Sequence, residues 1–260
     1  MSRIRETFSM ETKVLLVGES WVSSSTHFKG FDFFVSTHYA TGGDFLIGAL
    51  SSGGIEVVHQ PSHEAAKTFP LELSKLEPYD VIILSDIGAN TLLLPPEVFL
   101  EGKRVPNRLE LIKEYVRNGG GLIMAGGYLS FQGIYGSARY HRTPVEEVLP
   151  VTLLAVDDRV EKPEGVNPTV KKSEHPIMQG VDGEWPYLLG FNEVRPKEQG
   201  EVLAMVDEYP LLVTGSFGKG RSVAWTSDVG PHWCPKEFIE WPGYTRLWRQ
   251  IVMWAAHGRK

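Results

Sequence analysis

Three acidic residues occupy positions in the sequence where carboxyl groups often do chemistry. Glu19, Asp86 and Asp228 each come at or just after the end of an apolar run. Two carboxyl groups in one crevice can act as acid and base when their surroundings separate their pKa values. His232 adds an imidazole four residues after Asp228. Glu19, Asp228 and His232 are therefore the candidate catalytic residues, with helix capping or loop hydrogen bonding as the alternative role.

The single cysteine, Cys234, offers a second kind of chemistry. A catalytic thiol needs a lowered pKa, and a histidine such as His232, two residues away, often provides it. The alternative is a small buried side chain among Trp233, Phe238 and Trp241, and we favour this interpretation. Because the spacing of Asp228, His232 and Cys234 matches no strong ligand pattern, we predict no metal site and no cofactor.

Other residues in the same segments have side chains or backbone suited to ligand binding. Aromatic rings in loops can line the site of a sugar or another ring-bearing ligand. Tyr140, His141 and Arg142 together would suit an anionic or sugar-like ligand, or else form a solvated loop. The candidate ligand-binding residues are Trp21, Asp86, Gly126, Gly127, Tyr128, Ser130 and His141.

Alternating strand and helix patterns predict the scaffold that positions these residues. Short apolar runs at 13–18, 55–59, 81–86 and 122–125 are typical of buried parallel strands, and amphipathic helical segments separate them. This rhythm indicates an α/β fold with three layers, in which a mostly parallel central sheet has helices on both faces. Ligands of such sheets bind at the carboxyl ends of the strands, so we expect the candidate residues to converge there.

Two polar segments are predicted to be loops, at 19–43 and 157–174. In the second half, strands are predicted near 151–156, 202–206, 211–214 and 221–228, and the glycine-rich segment 215–220 joins the last two as a hairpin. We expect residues 1–12 to form an N-terminal arm and residues 13–260 to form one domain, because the sequence contains no linker or internal repeat.

Three short segments carry a resemblance to a known superfamily. The strand and turn Gly-Gly-Gly-Leu-Ile-Met-Ala-Gly-Gly at 119–127 resembles the corresponding segment of class I glutamine amidotransferase-like proteins. The segments His-Pro-Ile-Met-Gln-Gly-Val at 175–181 and Gly-Lys-Gly-Arg-Ser-Val at 218–223 are similar to those of the trehalose-utilisation-type branch. The resemblance implies a flavodoxin-like fold of the amidotransferase type.

The catalytic residues of the superfamily are missing from their usual positions in this sequence. The superfamily has a cysteine in a Gly-x-Cys-x-Gly turn, whereas the turn here reads Ala-Gly-Gly-Tyr-Leu at 125–129. Its His-x-Glu pair would follow the late strand, where the sequence reads Thr-Ser-Asp-Val at 226–229. Without that nucleophile and base, we expect no glutaminase activity by the thiolate route.

Composition narrows the function classes further. The net charge of −6 and the lack of dense basic runs disfavour nucleic acid and anionic membrane surfaces as partners. No apolar stretch has the length of a membrane span or signal segment, so we expect a cytoplasmic protein. Three functions stay open: binding of, or action on, a small polar ligand such as a carbohydrate-related molecule; a non-catalytic interaction or assembly module; and an amidotransferase that uses Cys234. A homo-oligomer is compatible with all three.

Overall fold

The computed structural model describes residues 12–181 and 183–257. Apart from Thr12, the predicted N-terminal arm lies outside the described residues. The strands are β1 (Lys13–Gly18), β2 (Ser20–Lys29), β3 (Asp32–Thr41), β4 (Glu56–Gln60), β5 (Val81–Ser85), β6 (Gly121–Ala125), β7 (Val151–Leu153), β8 (Arg159–Val166), β9 (Thr169–Val170), β10 (Leu188–Asn192), β11 (Val194–Pro196), β12 (Glu201–Val206), β13 (Tyr209–Phe217) and β14 (Gly220–Trp225). The helices are α1 (Asp44–Ser51), α2 (Ser62–Thr68), α3 (Ala89–Leu93), α4 (Pro96–Phe99), α5 (Arg108–Arg117), α6 (Pro144–Val148), α7 (Lys236–Ile239) and α8 (Pro242–Ala256).

An eight-stranded sheet forms the centre of the fold, in the order β4-β1-β5-β6-β14-β13-β12-β9. The pairs from β4 to β14 are parallel, and those from β14 to β9 are antiparallel. Two hydrophobic clusters lie on opposite faces of the sheet, one including side chains of α1 and α8 and the other including side chains of α2, α3 and α5. The predicted three-layer α/β fold with a mostly parallel sheet is therefore confirmed.

The direction of β14 decides where the late part of the site lies. The predicted hairpin between β13 and β14 is present, and it returns β14 parallel to β6, with Trp225 opposite Ala125. Because β1, β5, β6 and β14 all run the same way, the residues that follow them emerge at one edge of the sheet.

Both segments predicted to be loops contain strands. Residues 20–41 form a two-stranded hairpin of β2 and β3, which pairs Ser20 with Thr41 and Lys29 with Asp32. Residues 159–166 form β8, which pairs with β10, and residues 169–170 form β9 at the edge of the main sheet. The prediction was wrong because their Ser, Thr and charged side chains hide a strand pattern that faces solvent on one or both sides.

Helix ends follow the local sequence where capping residues are present. The side chain of Asn107 accepts hydrogen bonds from the backbone N–H groups of Leu109 and Glu110 at the start of α5. The helix ends at Asn118, and Gly119 follows with a φ of 117°.

Of the helices in the described chain, none combines the length and apolar character that a membrane crossing requires.

Candidate functional site

A cavity of about 590 Å³ opens at the carboxyl ends of the parallel strands. This volume is typical of small-molecule sites. Its walls include all three candidate catalytic residues and three of the candidate ligand-binding residues. The lining residues are Glu19, Trp21, Asp86, Tyr128, Leu129, Ile134, Asp228, Gly230, Pro231 and His232.

Glu19 is the most buried carboxyl group of the cavity. It follows β1 directly with a φ of 48°, and its N–H donates to the carbonyl of Ser85 at 2.9 Å. The Ser85 hydroxyl donates to Oε1 of Glu19. Burial, followed by the charge of Asp86, raises the pKa of Glu19 to about 7. Glu19 is thus poised to give or take a proton near neutral pH.

Asp86 follows β5 in the same left-handed conformation, with a φ of 44°. Its N–H donates to the Ser130 hydroxyl at 3.1 Å, and its Oδ1 accepts the N–H of Leu129 at 2.7 Å. Burial raises the pKa of Asp86 in spite of that hydrogen bond. Ser130 does not line the cavity, so its observed contribution is to position Asp86.

Asp228 and His232 form the late side of the site. The two side chains meet at 3.4 Å between Nδ1 of His232 and Oδ2 of Asp228, and the same Oδ2 accepts the N–H of Trp233 at 3.2 Å. Burial raises the pKa of Asp228 well above its usual value, and the charges of Glu19 and Asp86 raise it further. Partial burial lowers the pKa of His232. This environment favours the uncharged forms of both groups.

The turn after β6 is as sharp and crowded as its two glycines predict. A Cβ atom at Gly126 would lie 2.2 Å from the carbonyl oxygen of Thr226. Gly127 has a φ of 141°, and a Cβ there would lie 2.8 Å from Oδ1 of Asp228 and 3.1 Å from Oδ1 of Asp86. The two carboxylates therefore flank the position that the superfamily's nucleophile would occupy.

Aromatic rings form the outer wall of the cavity. Trp21 is 43% exposed at the base of the β2–β3 hairpin, and the Tyr128 ring packs edge-on against His232 at 4.7 Å. The Tyr128 hydroxyl donates to Oε1 of Glu161 at 3.1 Å, and the Arg159 guanidinium lies 5.0 Å from the ring centre. These contacts fix the Tyr128 ring at the cavity mouth.

Cys234 does not contribute to the cavity. Its side chain is fully buried in the hydrophobic cluster that includes Phe238 and Tyr244. Burial, followed by the charge of Asp228, raises the pKa of the thiol well above its usual value. A thiol in this state is a poor nucleophile.

His141 was predicted to bind a ligand together with the other candidates, but it is not among the residues that line the cavity. It is half-buried with its Nδ1 3.5 Å from Oε1 of Glu146, and its N–H donates to the Gln132 side chain. Its neighbour Tyr140 is also fully buried, with its hydroxyl donating to the carbonyl of Ile87. The cluster around His141 is therefore part of the packing of the loop before α6.

Asn192 is a site residue that no pattern in the sequence predicts. Its Oδ1 accepts the N–H of Gly127 at 3.0 Å, and its Nδ2 donates to the Gly127 carbonyl and to Oδ1 of Asp158. Asp158 also accepts the N–H groups of Gln132 and Gly133, both at 2.8 Å. The adjacent acidic pair at 157–158 was a signal for Asp158, whereas nothing in the sequence pointed to Asn192.

The arrangement does not resemble a metal centre. Within residues 12–181 and 183–257, no group of three or more His, Cys, Asp or Glu side chains is arranged to hold a metal ion. The groups available for chemistry in the cavity are three carboxyl groups and an imidazole, with a phenol and an indole at the rim.

Comparison with solved structures identifies two similar proteins of nearly the same length. Cytoplasmic protein STM3548 from Salmonella typhimurium is 44% identical, with a TM-score of 0.90, over 93% of this chain and 98% of that chain. Cytoplasmic protein STM1381 from Salmonella typhimurium LT2 is 43% identical, with a TM-score of 0.90, over 94% of this chain and 99% of that chain.

A ThuA-like protein from Bacteroides uniformis shares the fold alone, at 13% identity and a TM-score of 0.52 over 93% of this chain and 91% of that chain. No curated protein shows significant similarity to the chain. A family model described as a putative glutamine amidotransferase matches residues 13–257, and the chain therefore belongs to this glutamine amidotransferase-like family.

Proposed function

We propose that this protein binds a small, uncharged, hydroxyl-rich molecule, such as a carbohydrate, in the strand-end cavity and does not hydrolyse glutamine. The observation that carries the proposal is the convergence of Glu19, Asp86 and Asp228 on one cavity, with raised pKa values in all three. We also propose a cytoplasmic location, as in the description of the two Salmonella proteins.

The charge state of the site selects the ligand class. The raised pKa values favour the protonated forms of these carboxyl groups, and a protonated carboxyl group both donates and accepts hydrogen bonds, which suits hydroxyl groups. An anionic ligand is disfavoured, because each carboxylate that ionises would repel it. The rings of Trp21 and Tyr128 offer flat apolar surfaces at the rim, as required for stacking on a sugar ring.

The same groups supply acid–base chemistry if the bound ligand reacts. Glu19, with a pKa of about 7, would exchange a proton with a ligand oxygen, and His232 would serve as the partner base. Both line the cavity, so a ligand that fills it would contact both. Non-thiol chemistry also agrees with the burial of Cys234, which argues against its use as a displaced nucleophile.

The test is a binding screen in which each neutral ligand is paired with a charged form of the same molecule. Isothermal titration of neutral monosaccharides and polyols, each paired with its phosphorylated form, should give binding to neutral members only. Glu19→Gln and Asp228→Asn should weaken that binding at least tenfold, whereas Glu240→Gln, on the exposed end of α7, should not. Equal or tighter binding of the phosphorylated members would refute the proposal, as would release of ammonia from glutamine by the native protein.

A further inference from the structure

The β2–β3 hairpin projects from the fold and contacts it at its base, where the Ser20 hydroxyl accepts the N–H of Ser62 and the Tyr39 ring packs edge-on against His63. It contains ten cross-strand pairs, from Ser20–Thr41 to Lys29–Asp32, and forms a sheet of its own. At about 3.3 Å per residue it extends roughly 33 Å. Nearly every residue from 21 to 41 is exposed. An isolated two-stranded hairpin is marginally stable in water, so such a projection usually has a partner.

The pairing register divides the hairpin into two unlike faces, because alternate residues point to opposite sides of a sheet. One face carries the pairs Ser20–Thr41, Val22–Tyr39, Ser24–Thr37, Thr26–Val35 and Phe28–Phe33. The other carries Trp21–Ala40, Ser23–His38, Ser25–Ser36, His27–Phe34 and Lys29–Asp32. We call the first the apolar face and the second the polar face.

The apolar face is large enough to form an interface. With Phe31 at the tip, its exposed hydrophobic residues are Val22 (60%), Phe28 (76%), Phe31 (109%), Phe33 (67%), Val35 (57%) and Tyr39 (44%). These residues expose on the order of 700 Å². That exceeds the largest apolar patch of most monomers, and it approaches the area that each partner buries in a standard protein–protein interface.

We propose that the apolar faces of two copies of this chain pack against each other about a two-fold axis. In an antiparallel arrangement, the Phe28–Phe33 pair of each copy would lie over the Val22–Tyr39 pair of its partner. The two middle pairs, Ser24–Thr37 and Thr26–Val35, would then face each other. Every pair on the apolar face would thus lie against a pair with apolar or small side chains. Sheets pack face to face in this way at about 10 Å.

The local charge distribution permits a second copy as the occupant. The chain has a net charge of −6, which generally opposes self-association. Within residues 20–41, however, only Lys29 and Asp32 carry full charges, and they are of opposite sign and paired on the polar face. The apolar face itself carries no charged residue, so two copies can approach there without like-charge repulsion.

The proposed dimer would also bear on the cavity. Trp21, which lines the cavity, lies on the first strand of the hairpin beside Val22, whose side chain belongs to the apolar face. Packing of that face against a partner would immobilise the base of the hairpin and with it the Trp21 ring. Ligand binding and dimerisation should therefore favour each other.

Sedimentation velocity across concentrations up to about 100 μM tests the proposal, with twice the monomer mass as the expected result. The double variant Phe28→Ser/Phe33→Ser should weaken dimerisation at least a hundredfold. Phe34→Ser removes the same ring from the polar face and should leave the dimer intact. Because the hairpin is outside both hydrophobic clusters, far-UV circular dichroism and the unfolding midpoint should be nearly unchanged in all variants.

Three results would overturn the proposal. The first is a native protein that stays monomeric at about 100 μM. The second is equal loss of the dimer in Phe34→Ser and in Phe28→Ser/Phe33→Ser. The third is a monomer that co-sediments with vesicles of phosphatidylcholine and phosphatidylserine through Phe28 and Phe33, which would assign the apolar face to a membrane surface instead.

Discussion

The Oδ1 atom of Asp228 lies 2.8 Å from the point that a Cβ atom would occupy at Gly127. The Oδ1 atom of Asp86 lies 3.1 Å from the same point. In this family member, the elbow that would carry a nucleophile in a thiol enzyme is enclosed by acidic groups. Any side chain larger than hydrogen at position 127 would therefore meet both acidic groups.

Gly127→Ala should destabilise the protein by about 3 kcal/mol or more, because it combines an unfavourable φ with contact against two carboxylates. Gly102→Ala is the matched control. Its φ is 63°, but no atom lies within 4 Å of its Cβ position, so only the backbone cost of about 1 kcal/mol should appear. Urea unfolding of both variants measures the difference, and equal losses would show that the contacts at Gly127 are unimportant.

Gly127→Cys should not create glutaminase activity. A thiol at this position would lie beside Asp86 and Asp228, where burial disfavours the thiolate and any charge on either carboxyl group would disfavour it further. The His-x-Glu pair of working amidotransferases is also missing after β14. An assay for ammonia from glutamine should read the same with this variant as with the native protein. Glutamine-dependent ammonia release by the variant would contradict the prediction.

Glu19→Gln should remove a pH dependence of stability. The pKa of Glu19 rises from 4.5 to about 7 on folding, so its neutral form stabilises the fold below pH 4.5, and that stability is lost as pH rises through 7. The native protein should match the variant at low pH and be less stable by about 3 kcal/mol at pH 8. Chemical unfolding from pH 4 to 8 measures this, with Glu240→Gln as the exposed control. A constant difference across that range would be inconsistent with a raised pKa.

Asp86→Asn should lower the pKa of Glu19. Burial is the largest cause of its raised pKa, and the charge of Asp86, which this substitution removes, is the next. The asparagine oxygen can still accept the N–H of Leu129, so the turn should persist. Comparing Asp86→Asn with Asp86→Asn/Glu19→Gln isolates Glu19 in the absence of that charge. The stability difference between these two variants should level off at a lower pH, and be smaller at pH 8, than the difference between the native protein and Glu19→Gln. An unchanged difference would mean that the two groups do not interact.

Cys234 should resist thiol reagents in the native state, because it is fully buried and its pKa is raised. Modification at pH 7.5 should be at least a hundredfold slower in buffer than in denaturant. Cys234→Ala should leave ligand binding unchanged and cost about 1 kcal/mol through the cavity it creates. Rapid native modification accompanied by loss of activity would restore Cys234 as a candidate nucleophile.

The sequence by itself determined the parallel core and the cluster of groups at its edge. Apolar runs fix β1, β5 and β6 as buried strands, and parallel strands deliver Glu19, Asp86 and Tyr128 to one edge whatever the details of packing. The glycines at 126–127 likewise suit the crowded turn after β6, because only glycine tolerates that backbone and contact.

Only the tertiary structure decided the remainder. The direction of β14, which places Asp228 and His232, depends on pairing with β6 across almost a hundred residues of intervening chain. Asn192 reaches the turn through a long-range contact that no local pattern encodes. The hairpin at 20–41 escaped prediction for a related reason: most of its residues are exposed and many are Ser or Thr, so its alternation reads as a polar loop until the register between its strands is known.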